Sequence, residues 1–174
     1  MNSTSKIIVL LISIVFLSSF SAFDKSEDEL KQLLKFEKLA LENNAIGKVY
    51  SYDLTKKKSC NVSEIKYLGI IKTKNGKQYK ILNSFFVFTT GTDMCHGTSN
   101  IKIYNMKNQF VGKYYAGMPY GLPEKIIQNK FLCWTKAEDC NRKDYTINFG
   151  NGLPKSFFVP CLNGSGDEYS FSNE

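Results

Sequence analysis

Ile65-Lys66-Tyr67-Leu68-Gly69-Ile70-Ile71-Lys72-Thr73-Lys74-Asn75-Gly76-Lys77-Gln78-Tyr79-Lys80-Ile81-Leu82-Asn83-Ser84-Phe85-Phe86-Val87-Phe88 is the stretch that decides the fold class. Its two arms, Ile65 to Thr73 and Lys77 to Phe88, are rich in β-branched and aromatic residues, which suit a pleated, half-buried surface. Between them Asn75-Gly76 accepts the positive φ angles of a type I′ turn, so a hairpin is expected. Across a two-residue turn Lys74 faces Lys77, Lys72 lies on the same face two residues away, and Tyr79 stands opposite Lys72.

The texture on either side is the same. Val49-Tyr50-Ser51-Tyr52 reads as a first strand, and Ile101 to Met106 with Phe110 to Tyr115 as a second hairpin tipped by Lys107-Asn108. Ile126 to Trp134 is a strand or a pair broken around Asn129, and Tyr145 to Phe149 and Ser156 to Val159 complete the set. Regular strand spacing with short turns points to an antiparallel β-sandwich or barrel-like sheet. No helix-length segment separates the strands, which argues against a parallel α/β sheet.

Ahead of the strands, Ser26-Glu27-Asp28-Glu29 is a capping box with acidic residues where the helix dipole favours them. Leu30, Leu33, Leu34, Ala40 and Leu41 recur at helical spacing, and Asn43-Asn44 and Gly47 supply the stop. One helix over 26–43 follows, so the fold class is mainly β with one N-terminal α-helix. Its apolar stripe, which includes Phe36 and Leu39, is read as a packing surface.

Earlier still, Lys6 precedes an apolar run from Ile7 through Leu17 and the small-residue stretch Ser18-Ser19-Phe20-Ser21-Ala22. That is the layout of a secretory signal peptide. Cleavage after Ser21 leaves Ser21 and Ser19 at the last and third-last positions, whereas cleavage after Ala22 leaves the bulky Phe20 there. The run is short for a bilayer span, which needs roughly 20 apolar residues. The expected organisation is a signal peptide over 1–21, a helix-bearing segment over 22–47, a β-rich domain over 48–162 and a flexible Gly/Ser/Asn-rich tail over 163–174. The mature chain is expected to have no transmembrane segment and to be secreted or periplasmic.

About 150 residues remain after cleavage, enough for one domain with a real core. The formal charge is +7, about +6 without Lys6, and it favours anionic partners such as polyanionic glycans, lipid headgroups or nucleic acid; the expected partner is an anionic glycan, an envelope component or another protein. No nucleic-acid motif accompanies it. Gly150-Asn151-Gly152 lacks the third glycine and the following helix of a dinucleotide site, and no cofactor is expected.

Five cysteines, Cys60, Cys95, Cys133, Cys140 and Cys161, lie beyond the signal, and bridges are their default use in an exported chain of this size. Cys60 and Cys95 flank Asn75-Gly76 at comparable distances and would meet at the open end of the hairpin. Cys133 and Cys140 flank the short loop Trp134 to Asp139, so Cys133–Cys140 is the second expected bridge and Cys161 the unpaired thiol. No C-x-x-C occurs and His96 is the only histidine, which argues against a structural zinc site, and no metal is expected.

Reactive residue types gather only in Asp93-Met94-Cys95-His96-Gly97-Thr98-Ser99. Neighbours on a strand point to opposite faces, so Cys95 and His96 form no local nucleophile pair there. Asp53, Glu64, Asp93, Glu124, Glu138 and Asp139 could supply a carboxylate pair, but sequence cannot pair them. The lysine group at the hairpin tip, Lys72, Lys74 and Lys77 with Tyr79 beside it, is the more specific signal. Like charges opposed across strands need open solvent or an anion. Trp134, Tyr114, Tyr115 and Tyr120 are candidates for a stacking platform. The sequence thus points to an exported, disulfide-containing β-rich binding or interaction protein, with a small secreted hydrolase built on His96 or a carboxylate pair as the alternative.

Overall fold

The computed structural model describes residues 31, 33–53, 55, 60–89, 94–135 and 140–174. The expected signal peptide over 1–21, the capping box at Ser26 to Glu29 and the loop residues Asp93, Glu138 and Asp139 lie outside them. The chain divides into two compact units, 1–36 and 37–174. In the first, the described residues Lys31 and 33–36 are helical; the second opens with helical residues 37–43, here α1. The helix therefore stops at Asn43, where Asn44 turns left-handed at φ 48°.

Ten strands follow: β1 (Val49–Asp53), β2 (Asn61–Lys72), β3 (Gln78–Thr89), β4 (Cys95–Tyr104), β5 (Phe110–Gly117), β6 (Lys125–Ile127), β7 (Phe131–Trp134), β8 (Tyr145–Asn148), β9 (Ser156–Pro160) and β10 (Gly166–Ser172). They form a seven-stranded antiparallel sheet, β1-β2-β3-β4-β5-β10-β9, and a three-stranded one, β6-β7-β8. The protein is mainly β and antiparallel throughout, as the strand spacing implied.

The decisive hairpin forms, but with a different turn. Gly76 N–H donates to the Thr73 carbonyl at 3.0 Å and Thr73 N–H to the Lys77 carbonyl at 2.9 Å, which makes a three-residue loop, Lys74-Asn75-Gly76. Only Gly76 in that loop has a positive φ, 82°, whereas a type I′ turn needs two such residues. The Thr73 hydroxyl donates to Asn75 Oδ1 at 2.5 Å and holds the loop from inside. Lys72 consequently pairs with Gln78, and Tyr79 with Ile71. A shift of one residue turns every side chain of an arm to the other face. A bulge between Tyr67 and Gly69 then shifts the pairing of the upper part of β2 by one residue more, so that Tyr67 opposes Leu82.

The same three-residue turn closes β4–β5 over 106–108 and β9–β10 over 162–164, with Asn108 at φ 61° and Gly164 at φ 85° in the left-handed position. Between β6 and β7, Ile127 pairs with Phe131 across residues 128–130, and there Gln128 and Asn129 both have positive φ, 51° and 54°. The expected break at Asn129 is this turn.

One face of the large sheet presents Ile71, Ile81, Ile101, Ile103, Tyr114 and Ala116, which cluster with Leu132 and Trp134 of β7, Phe149, Val159 and Tyr169. Phe157 stacks on Tyr169 at 4.7 Å, and Trp134 meets Tyr169 edge-on at 5.6 Å. The Gly121 carbonyl, in the 3-10 turn Pro119–Gly121, accepts from both Trp134 Nε1 at 2.7 Å and the Tyr169 hydroxyl at 2.5 Å. A Cβ at Gly121 would lie 2.3 Å from the Ala116 carbonyl oxygen, so the close approach requires glycine.

The other face carries Tyr50, Ile65, Tyr67 and Leu82, all buried. α1 is tied to it: Lys80 Nζ donates to the Leu41 carbonyl at 2.9 Å, Asn43 Nδ2 to the Tyr50 hydroxyl at 3.1 Å, and the Tyr104 hydroxyl to Glu37 Oε2 at 2.5 Å. Lys102 ion-pairs with the same carboxylate.

Two expectations are corrected. Residues 163–174 are no flexible tail: β10 pairs with both β5 and β9, and Tyr169 is fully buried. Their composition is polar because Glu168 and Ser170 face solvent while Tyr169 turns into the core. The second concerns the cysteines. Cys60 is bonded to Cys95, with Cα atoms 5.8 Å apart, but Cys140 is bonded to Cys161, not to Cys133. Cys133 is a buried free thiol in β7, where Thr146 and Lys125 pair with it on either side. Cys133 is buried in the central strand of the small sheet, whereas Cys161, at the base of the β9–β10 turn, has its Cα 5.4 Å from that of Cys140.

Candidate functional site

Tertiary folding gathers lysines that are far apart in sequence. Lys72, Lys74 and Lys77 are exposed at the β2–β3 tip. Lys72 N–H donates to the Asn129 carbonyl at 2.7 Å and Lys74 N–H to the Gly150 carbonyl at 2.8 Å, so the β6–β7 turn with Lys130 lies against this tip. The β4–β5 tip stands at the same end of the sheet: Lys80 Nζ donates to Asn108 Oδ1 at 2.8 Å, next to the exposed Lys107. None of the ion pairs among the described residues involves Lys72, Lys74, Lys77, Lys107 or Lys130.

Tyr79 does not join them. The three-residue turn points it toward Ile71, and it packs half-buried against the core cluster. The three lysines of the first tip also do not share one face, because Lys77 opposes Thr73 and Lys72 opposes Gln78. They spread around the tip, which relieves their mutual repulsion. Lys107 and Lys130 escaped sequence reasoning because their turns reach the same end only through sheet order. The alternation of hairpins along the chain was the available signal.

The aromatic platform dissolves. Trp134 and Tyr114 are core residues, and only Tyr115 and Tyr120 are exposed. Burial pushes the Tyr114 phenol well above the ordinary tyrosine range, and its hydroxyl donates to the Pro154 carbonyl at 2.7 Å. His96 is exposed on β4 beside Phe88, ring centroids 6.1 Å apart, and its neighbour Cys95 is held in a disulfide. Burial raises the Cys133 thiol above its usual value, which keeps it a poor nucleophile. Among the described residues no group of three His, Cys, Asp or Glu side chains could hold a metal ion, and no helix is long and apolar enough to cross a membrane.

Two of the candidate carboxylates do come together. Glu64 and Glu124 line one cleft of about 180 Å³, with Val49, Lys66, Asn83, Phe85, Pro119, Leu122 and Pro123. Glu124 is ion-paired with Lys66 at 2.7 Å. Asp53 lies apart at the end of β1, its carboxyl held below the usual range by hydrogen bonds from Thr55. No known protein family, curated protein or solved structure matches the chain.

Proposed function

We propose that the protein is an exported, disulfide-stapled β-rich binding protein that engages an anionic polymer, a glycan or an envelope surface, through the basic end of its large sheet. The observation that carries this is the convergence of Lys72, Lys74 and Lys77 with Lys107 and Lys130, on three separate turns, at one end. Flexible ammonium groups on turns track a repeating anion without fixed geometry, and they suit polymer binding better than the capture of one small anion. Export is supported by the signal-like N-terminus and by the two bridges, which form and persist in oxidising compartments.

The hydrolase alternative has weaker support. Cys95 is bonded, His96 has an aromatic neighbour, and Glu124 is committed to Lys66. The test is retention on a sulfated polysaccharide matrix. The triple change Lys72→Ala, Lys74→Ala and Lys77→Ala should lower the salt needed for elution, and adding Lys107→Ala and Lys130→Ala should lower it further. Elution at an unchanged salt concentration after all five substitutions would sink the proposal.

A further inference from the structure

The cleft beside Glu64 and Glu124 holds an unusual group. Asn83, on β3 and only 5% exposed, uses its amide nitrogen to donate to the Pro123 carbonyl at 2.6 Å. Its Oδ1 is buried and has no hydrogen-bond partner. The orientation is chemically forced: a flipped amide would set oxygen against the Pro123 carbonyl oxygen. A buried acceptor without a donor is costly in a finished fold and is expected where a ligand supplies the donor.

The surroundings define that donor. Glu64 and Glu124 place two carboxylates in the cleft against the single ammonium of Lys66, leaving an excess of one negative charge in a chain whose net charge is +7. Val49, Phe85, Leu122, Pro119 and Pro123 supply apolar walls. We infer that this cleft binds an alkylammonium group, whose N–H donors reach Asn83 Oδ1 and the Glu64 carboxylate while its carbon chain lies along Phe85, Leu122 and the prolines. An alkylammonium satisfies the orphaned acceptor, the excess negative charge and the apolar walls together. A neutral alcohol leaves the charge unmatched, and a carboxylate opposes it. The cleft sits along β2 about 20 Å from Lys72, so it is separate from the basic end.

The test is isothermal titration calorimetry of the whole protein at neutral pH, with n-pentylammonium, Nα-acetyl-lysine N-methylamide, pentan-1-ol and pentanoate. Both cations should bind and the alcohol and the anion should not. Preference for pentylammonium assigns the site to free amines, and preference for the lysine derivative assigns it to a lysine side chain. Asn83→Leu should weaken the cation about tenfold or more, as should Glu64→Gln. Glu64 is exposed, so that variant decides the matter if Asn83→Leu fails to fold by circular dichroism. Absence of heat with both cations, equal binding of pentan-1-ol, or affinity that survives the substitution in a folded variant overturns the inference. The lysine variants above should leave ammonium binding unchanged, and Glu64→Gln should leave matrix retention unchanged, so the two proposals fail separately.

Discussion

The two faces of the seven-stranded sheet are held by different physics. One packs isoleucines and aromatic rings against β7 and β10: Trp134, Tyr114 and Tyr169 keep their polar atoms on backbone carbonyls, and the buried Arg142 at its margin is paired with Asp167 at 2.7 Å. The other is closed by α1 through Glu37, which is 2% exposed and serves both Lys102 and Tyr104, and through Lys80, which caps the Leu41 carbonyl. Apolar packing is non-directional and scales with buried area, whereas a buried carboxylate is favourable only while its partners stay in place. The first face should therefore govern global stability and the second the docking of the helix.

The sharpest way to break this contrast is to delete the centre of the apolar face. Trp134→Ala should cost about 3–5 kcal/mol in urea unfolding and lower amide protection across β3, β4 and β5 together. A loss confined to β7 would mean that the small sheet is an appendage.

Next comes the charged face. Glu37→Gln should cost about 2–3 kcal/mol, because it weakens two charge-assisted bonds and leaves Lys102 without its counter-charge. Hydrogen exchange should quicken at residues 37–43 and stay slow in β3 to β5. Uniform quickening would erase the distinction between the faces.

Alkaline pH tests both sides at once. Burial pushes Tyr169 up to about 12 and lifts Tyr114 further still; Tyr104 is raised first by burial and then by the Glu37 charge beside it. These phenols stay protonated in the folded chain while unfolded tyrosine ionises near about 10. Their contribution is thus fully present below pH about 10 and is lost as pH rises through the folded values. Tyr169 alone accounts for on the order of 2–3 kcal/mol by pH about 12. Unfolding free energy followed by fluorescence should fall above pH about 10, and Tyr104→Phe should make that fall shallower. A flat profile to pH about 12 would show these hydroxyls to be solvated.

The smallest effect belongs to the turn between the faces. Gly76→Ala at φ 82° should cost about 1 kcal/mol while leaving the Ile71–Tyr79 register intact, visible as unchanged cross-strand nuclear Overhauser effects. A change of register would mean that the turn, and not the packing of Tyr79, chooses the pairing.

Much of the fold could be read directly. The arms around Asn75-Gly76, the second hairpin at Lys107-Asn108 and the break at Asn129 all appeared as strands and turns, because β-branched and aromatic runs bounded by turn residues carry their meaning locally. The turn type was not legible. Asn-Gly satisfies either a two-residue or a three-residue loop, and the burial of Tyr79 beside Ile71 selects between them. β10 hid for a related reason: an alternating strand with one solvent face looks polar in composition, and its aromatic residues Tyr169 and Phe171 find their partners on distant elements, Phe157 and Trp134 for the first and Tyr114 for the second.

Local chemistry along the chain was enough to set an antiparallel, bridge-forming β protein with one leading helix, since propensity, alternation and turn residues act over a few positions. Sheet order, the partner of Cys140, the placing of the Lys72, Lys107 and Lys130 turns at one end of the sheet, and the unsatisfied oxygen of Asn83 belong to the tertiary structure alone. Each depends on which distant strands lie side by side, and that is decided by burying one continuous apolar face, a property no short stretch of the chain possesses.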